Sequence, residues 1–330
     1  MTRNNELTET NFQQAAEQLL QLRSTLESAI AGQATLITQM IITLVAGGHI
    51  LTEGLPGLGK TNLAKALAAA TDLDFSRIQC TPDLMPADIT GNEILRKGPD
   101  GENKLEFQPG PVFSHLVLVD EINRATPKTQ SSLLEAMQEH QVTCTGTTHP
   151  LPSPFWVIAT QNPIEIEGTY PLPEAQLDRF MVKLGVHFPD AAALLAMLDI
   201  SLDSEPAEHL KPTLSSDRLL QIMQLSREII VSDRIKQAAV QLLLCTHPQQ
   251  SEDSRHFRYG ASPRGLQALI RTARVHALIS GRLQVDLNDL EAMALPTLRH
   301  RVILTIESEL NGVDSDELLT RLIHAWRERA

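Results

Sequence analysis

The 330-residue sequence predicts an α/β fold with a mostly parallel five-stranded sheet, helices on both faces, and an all-helical part after it. Three observations predict this. Short apolar runs alternate with helical patterns up to about residue 190, as a covered parallel sheet requires. The first of these runs leads into GLPGLGKT at 54–61, a complete phosphate-loop pattern. After Pro189 nearly every segment carries helical periodicity.

An amphipathic pattern over 11–29 predicts the first helix. The apolar stretch from Leu36 predicts a second, stopped by the Gly47–Gly48 pair. Thr38, Gln39 and Thr43 interrupt that stretch, so it is too short and too polar to span a bilayer. A strand over 49–53, the glycine-rich turn and a helix over 60–70 follow. Further strands are expected at 75–80, 115–119, 155–160 and 181–188. Between them, a helix over 127–139 presents Leu133, Leu134 and Met137 on one apolar face. The segment 93–110 breaks the alternation, with two short strands about a Pro-Asp-Gly turn. Its residues alone fit either an exposed decoration or an insert with a task of its own. Residues 201–216 and 247–260 are expected loops. The boundary falls near 190, between an α/β body (1–190) and a helical domain (191–330).

Charge and cysteine usage narrow the function. A net charge of −12 disfavours a dedicated nucleic-acid surface. Cys80, Cys144 and Cys245 are odd in number and far apart, without disulfide or metal-ligand spacing, which fits a reducing cytoplasm. The polar N-terminus shows no signal-peptide pattern. A soluble cytoplasmic protein without a transmembrane segment is expected.

Chemistry concentrates at strand ends. In the loop of Gly54, Pro56, Gly57, Leu58 and Gly59, glycines let backbone N–H groups turn toward phosphate oxygens. Lys60 then reaches the β- and γ-phosphates and the Thr61 hydroxyl can ligate magnesium. Asn62 lies in the first turn of the following helix, whose N-terminal dipole favours the anion. The apolar run LVLV ends in Asp120 and Glu121, adjacent acids that repel each other unless a cation or a transferable proton is present. A nucleotide–magnesium complex answers both needs: Asp120 faces the metal, and Glu121 deprotonates the attacking water. Asn162 ends another strand, where it can bond the γ-phosphate or that water. Arg179, on a short helix begun by Pro173, is either in a surface salt bridge or an arginine finger toward a neighbouring subunit. Arg264 follows the Ser262 cap and Pro263 at a helix N-terminus, a candidate anion site.

In this order the elements resemble AAA+ ATPases, and closely the MoxR family. The resembling blocks are GLPGLGKT, RIQCTPDLMPADITG (77–91), FQPGPVF (107–113), LVLVDEINRATPKTQSSLLEAMQE (116–139), ATQNP (159–163), GTYPLPEAQLDRF (168–180) and GASPRG (260–265). The resemblance implies ATP or ADP with Mg2+ as ligands, and Lys60 and Thr61 as phosphate and metal contacts. It makes Asp120 the Walker B acid, Glu121 the catalytic base, Asn162 sensor 1, Arg179 the arginine finger and Arg264 sensor 2. Gly32 and Gln33 match a stretch beside the adenine, and the hairpin at 93–107 matches a helix-2 insert that projects toward a central pore. A homo-oligomeric ring, usually hexameric, is implied, remodelling protein partners that often carry von Willebrand factor A domains. A nucleic-acid motor or loader, a metal-chelatase motor subunit and a non-catalytic scaffold are the alternatives. The arginines and histidines between Arg255 and Arg282 fit a basic patch or the nucleotide-facing and solvent face of the lid.

Overall fold

A computed structural model describes residues 9–55, 57–97, 103–162, 168–186, 188–201 and 210–330. Helices α1 (Glu9–Ala29) and α2 (Ala34–Val45) precede β1 (Ile50–Glu53), and α3 (Lys60–Ala70) leads to β2 (Phe75–Gln79). Next come α4 (Pro86–Thr90), β3 (Gly91–Lys97), β4 (Asn103–Pro109), β5 (Leu116–Asp120) and α5 (Pro127–Glu139). Then β6 (Gln141–Cys144) and β7 (Thr147–Pro150) lead to β8 (Trp156–Gln161), α6 (Glu174–Leu177) and β9 (Val182–Gly185).

The five expected strands form one sheet in the order β2-β5-β8-β1-β9, with every pairing parallel. Alternate residues of the central strands enter opposite layers, as the period of two demands. Leu116, Leu118, Trp156 and Ile158 face a layer containing α1, α2 and α3. Val117, Val119, Val157 and Ala159 face one containing α4 and α5. With both faces covered, the polar side chains at the strand ends, Asp120 and Thr160 among them, collect at the carboxyl edge, where sheets of this kind bind ligands. β9 is shorter than the expected 181–188 because it pairs only with β1, which ends at Glu53.

The insert is a hairpin, with β3 and β4 antiparallel from Gly91↔Pro109 to Lys97↔Asn103; the turn at 98–102 lies outside the described residues. At its base a Cβ on Gly91 would stand 2.3 Å from the Gln108 carbonyl oxygen, so glycine is required. Leu95 and Leu105 pair across the strands and are 64% and 67% exposed. A second hairpin, β6–β7, was not expected. Val142 is its one buried residue, so QVTCTGTTHP carries no apolar alternation to announce it.

From Ala191 the described chain is helical: α7 (Ala191–Ser201), α8 (Ser216–Arg227), α9 (Asp233–Cys245), α10 (Pro263–Ile279), α11 (Leu287–Leu298), α12 (Ile306–Leu310) and α13 (Ser315–Arg327). The short antiparallel pair β10 (Phe257–Tyr259) and β11 (Ile303–Leu304) and a single bridge between Ile230 and Gln284 interrupt it. Its core is not separate from that of the body. Leu19, Leu22 and Leu26 of α1 share one apolar cluster with Leu269 and Ala273 of α10, and α1 touches both α3 and α10.

Candidate functional site

The phosphate loop opens onto a cavity of 330 Å³ lined by Gly57–Asn62, Arg77, Gln79, Asp120, Glu121, Thr160 and Asn162. Gly57 and Gly59 hold φ of +82° and +77°, and a Cβ on either would project into open space. The cradle is therefore made of backbone with room before it. Pro56 lies outside the described residues. Gly54 sits differently: a Cβ there would come within 2.6 Å of the Val186 carbonyl oxygen. Lys60 donates from Nζ to the Gly54 carbonyl at 2.7 Å, closing the loop on itself. Burial lowers the Lys60 pKa, while Asp120, Glu121 and Glu53 oppose the shift.

The two acids are held apart by different partners. Asp120, buried, accepts from Arg77 Nε at 2.7 Å and from the Thr160 hydroxyl at 3.3 Å. Glu121 takes a left-handed backbone conformation (φ 56°, ψ 50°), a strain of order 1–3 kcal/mol for a residue with a side chain. It is fixed there by its N–H to Thr160 Oγ1 at 2.9 Å. Glu121 Oε2 accepts from Gln79 (2.9 Å) and Arg124 (3.0 Å). Behind it, buried Gln130 donates to the carbonyls of Ile122 and Tyr170. Arg77, Gln79 and Arg124 were not anticipated. The signal was present: in FSRIQC the polar Arg77 and Gln79 alternate with buried Ile78, which puts both on one face of β2.

Thr61 and Asp120 supply hard oxygen donors suited to magnesium. Among the described residues no group of three or more His, Cys, Asp or Glu could hold a metal ion. A metal here would thus need phosphate oxygens to complete its shell, which is the usual arrangement for Mg2+ with a nucleotide. The donor set fits that group.

Gly32 and Gln33 line a neighbouring cavity of 610 Å³ together with Phe188 and Arg299. Gln33 donates to the Leu58 carbonyl at 3.0 Å, tying this cavity to the phosphate loop, and its buried Oε1 has no partner. That free acceptor matches an exocyclic amine. Gly32 (φ +75°) is obligatory, since a Cβ would lie 2.2 Å from that of Ala193.

Arg179 and Arg264 are elsewhere. Both line a third cavity, of 270 Å³, that shares no residue with the phosphate-loop cavity. Arg179 lies in the turn just past α6 rather than on it. The salt-bridge alternative fails, because Asp178 is taken by others. It accepts from Arg301 Nε at 2.7 Å and from the Ser262 hydroxyl at 2.9 Å, with Arg264 3.9 Å away. Among the described residues Arg179 forms no ion pair. Ser262 caps α10 as expected, its hydroxyl accepting from Gly265 N–H.

The sequence comparisons agree with this architecture. The model of the "ATPase family associated with various cellular activities (AAA)" matches residues 49–182, and that of an "AAA lid domain" matches 249–322. The chain is 39% identical to "Uncharacterized protein YeaC" of Bacillus subtilis over 296 residues, covering 90% of each. It is 38% identical to "Chaperone MoxR1" of Mycobacterium tuberculosis over 298 residues, 89% of this chain and 78% of that protein. A solved structure of a candidate ATPase from Cytophaga hutchinsonii superposes with a TM-score of 0.89 at 36% identity, covering 96% of both chains. With the phosphate loop, the paired acids and the insert hairpin all in their places, the chain belongs to the MoxR family of AAA+ ATPases.

Proposed function

We propose that the protein hydrolyses ATP at sites shared between neighbouring copies of a ring, and spends the cycle on remodelling partner proteins. The separation of Arg179 and Arg264 from the phosphate loop carries this reading. Within one chain the loop, Asp120 and Glu121 meet in one cavity, while Arg264 and Arg179, the latter without an ion pair among the described residues, face another. A second copy would join the two halves, and a hexamer is the closed ring we favour. Both arginines would then act on the neighbour's nucleotide, stabilising charge on the transferred phosphoryl group.

In this assignment Lys60 and the N–H groups of Gly57–Lys60 hold the phosphates, while Thr61 and Asp120 hold magnesium. When bound, Mg2+ would offset the negative charge of the ATP phosphates, the terminal one being the group transferred to water. Glu121 takes the proton of the attacking water, and Asn162 orients that water. Gly32 and Gln33 contact the base. The division near residue 190 into nucleotide-binding core and lid is part of the same proposal. So are a cytoplasmic setting, which suits the unpaired thiols of Cys80, Cys144 and Cys245, and partners bearing von Willebrand factor A domains. Among the described residues no helix is long and apolar enough to cross a membrane.

The test is ATP turnover per subunit, with magnesium, across protein concentrations, for wild type and Arg179→Ala. Turnover that rises with concentration in wild type, but stays low in a variant that still binds ATP, supports shared sites. Turnover indifferent to both concentration and Arg179 would make each chain a self-contained ATPase.

A further inference from the structure

Arg264, Gln267, Arg271 and Arg274 recur every three or four residues along α10, which puts them on one face. Beyond the cavity of Arg179 and Arg264, and sharing Gly47, His140 and Arg271 with it, lies another of 440 Å³. Arg271 and Arg274 of α10, Arg227 at the end of α8 and His140 after α5 form its polar wall. Among the described residues no carboxylate lines it, although acids outnumber bases 40 to 28 in the chain. Among the described residues Arg227, Arg271 and Arg274 form no ion pair. Arg274 Nε is sealed from solvent without a hydrogen-bond partner. A buried donor left in that condition is costly.

Helix ends do not account for the arginines. The C-termini of α2, α5 and α8 converge on this cavity, each worth about half a negative charge. Together they offset roughly half of three guanidinium charges. None of the three guanidinium groups bonds a helix-end carbonyl.

We propose that this cavity is a binding site for a small molecule carrying phosphate groups, distinct from the phosphate loop. Guanidinium forks match phosphate oxygens in pairs, and here they converge from two helices. The volume admits a diphosphate or a nucleotide. Ten residues of helix separate Arg274 from Arg264, about 15 Å, so a phosphate held at Arg264 is not the group held here.

The experiment uses the full chain carrying Lys60→Ala, which disables the phosphate loop. Pyrophosphate and, separately, ADP are titrated at low salt by calorimetry, with melting temperature followed in parallel. Saturable binding that raises the melting temperature is expected. It should vanish in the added double variant Arg227→Gln/Arg271→Gln, whose sites are exposed and spare the core. Arg274→Gln should weaken binding roughly tenfold or more, with partial rescue by Arg274→Lys. Equal affinity for both probes would assign recognition to the diphosphate, and tighter ADP binding would add the nucleoside. No binding, or binding indifferent to these arginines, overturns the proposal. So does a change in oligomeric state without anion binding, which would make the face a contact for acidic residues of another copy.

Discussion

At Glu121 the backbone is strained, the N–H is tied to Thr160 and the carboxylate is gripped from two sides, which fixes the group proposed as the proton acceptor. Replacing it by Gln keeps the shape while removing that proposed base. We expect Glu121→Gln to bind a fluorescent ATP analogue normally and to lose at least about 100-fold in phosphate release; ordinary turnover would remove Glu121 from its role. His49 illustrates a structural counterpart. Its Nε2–H donates to the Met137 carbonyl and its Nδ1 accepts the Val157 N–H, both at 3.0 Å, which fixes the neutral tautomer. Burial, with a smaller push from His140, lowers its pKa from 6.5 to about 4. The folded value lies below the unfolded one, so this stabilisation is complete above pH 6.5 and is lost as pH falls toward 4. A shift of this size is worth about 3 kcal/mol at most. Urea midpoints should therefore drop between neutral and acid pH, and His49→Gln should flatten part of that slope. An unchanged slope would acquit His49.

At the scale of elements, what the sequence could reveal depended on how strongly each segment is patterned. The five strands were legible because continuous runs such as LVLV have no other comfortable fate than a sheet buried on both sides. Asp120 and Glu121 were legible because charge at the end of such a run demands a reason. β6–β7 was not, since a short polar hairpin is held by its neighbours rather than by its own residues. Arg301 escaped notice because its partners, Asp178 and the carbonyls of Phe180 and Met181, lie about 120 residues away in sequence. The helix-2-type hairpin was legible as two strands, but its exposed leucine pair emerged only with the register. Leu95 and Leu105 sit clear of the sheet and of every cavity lined by the nucleotide residues. Changing both to Ser should alter stability by no more than about 0.5 kcal/mol, preserve basal hydrolysis and abolish remodelling of a partner. Collapse of basal hydrolysis would mean that the hairpin braces the ring.

For the whole molecule, shared sites make a prediction that no single chain can satisfy. Glu121→Gln retains a sound arginine face, and Arg179→Ala retains a sound base. Each protein alone should be nearly inactive, yet a mixture should recover part of wild-type turnover at junctions that pair the two intact halves. A mixture no more active than its components would exclude sites built from two copies. The clamp at Arg301 adds a further consequence. Arg299 borders the cavity lined by Gly32 and Gln33, and two residues on Arg301 grips Asp178, the immediate neighbour of Arg179. In the proposed ring, a subunit that shifts about its own nucleotide would move the arginine it lends next door. Firing would then pass from subunit to subunit in sequence, with the delay between neighbours set by the few residues that follow α11.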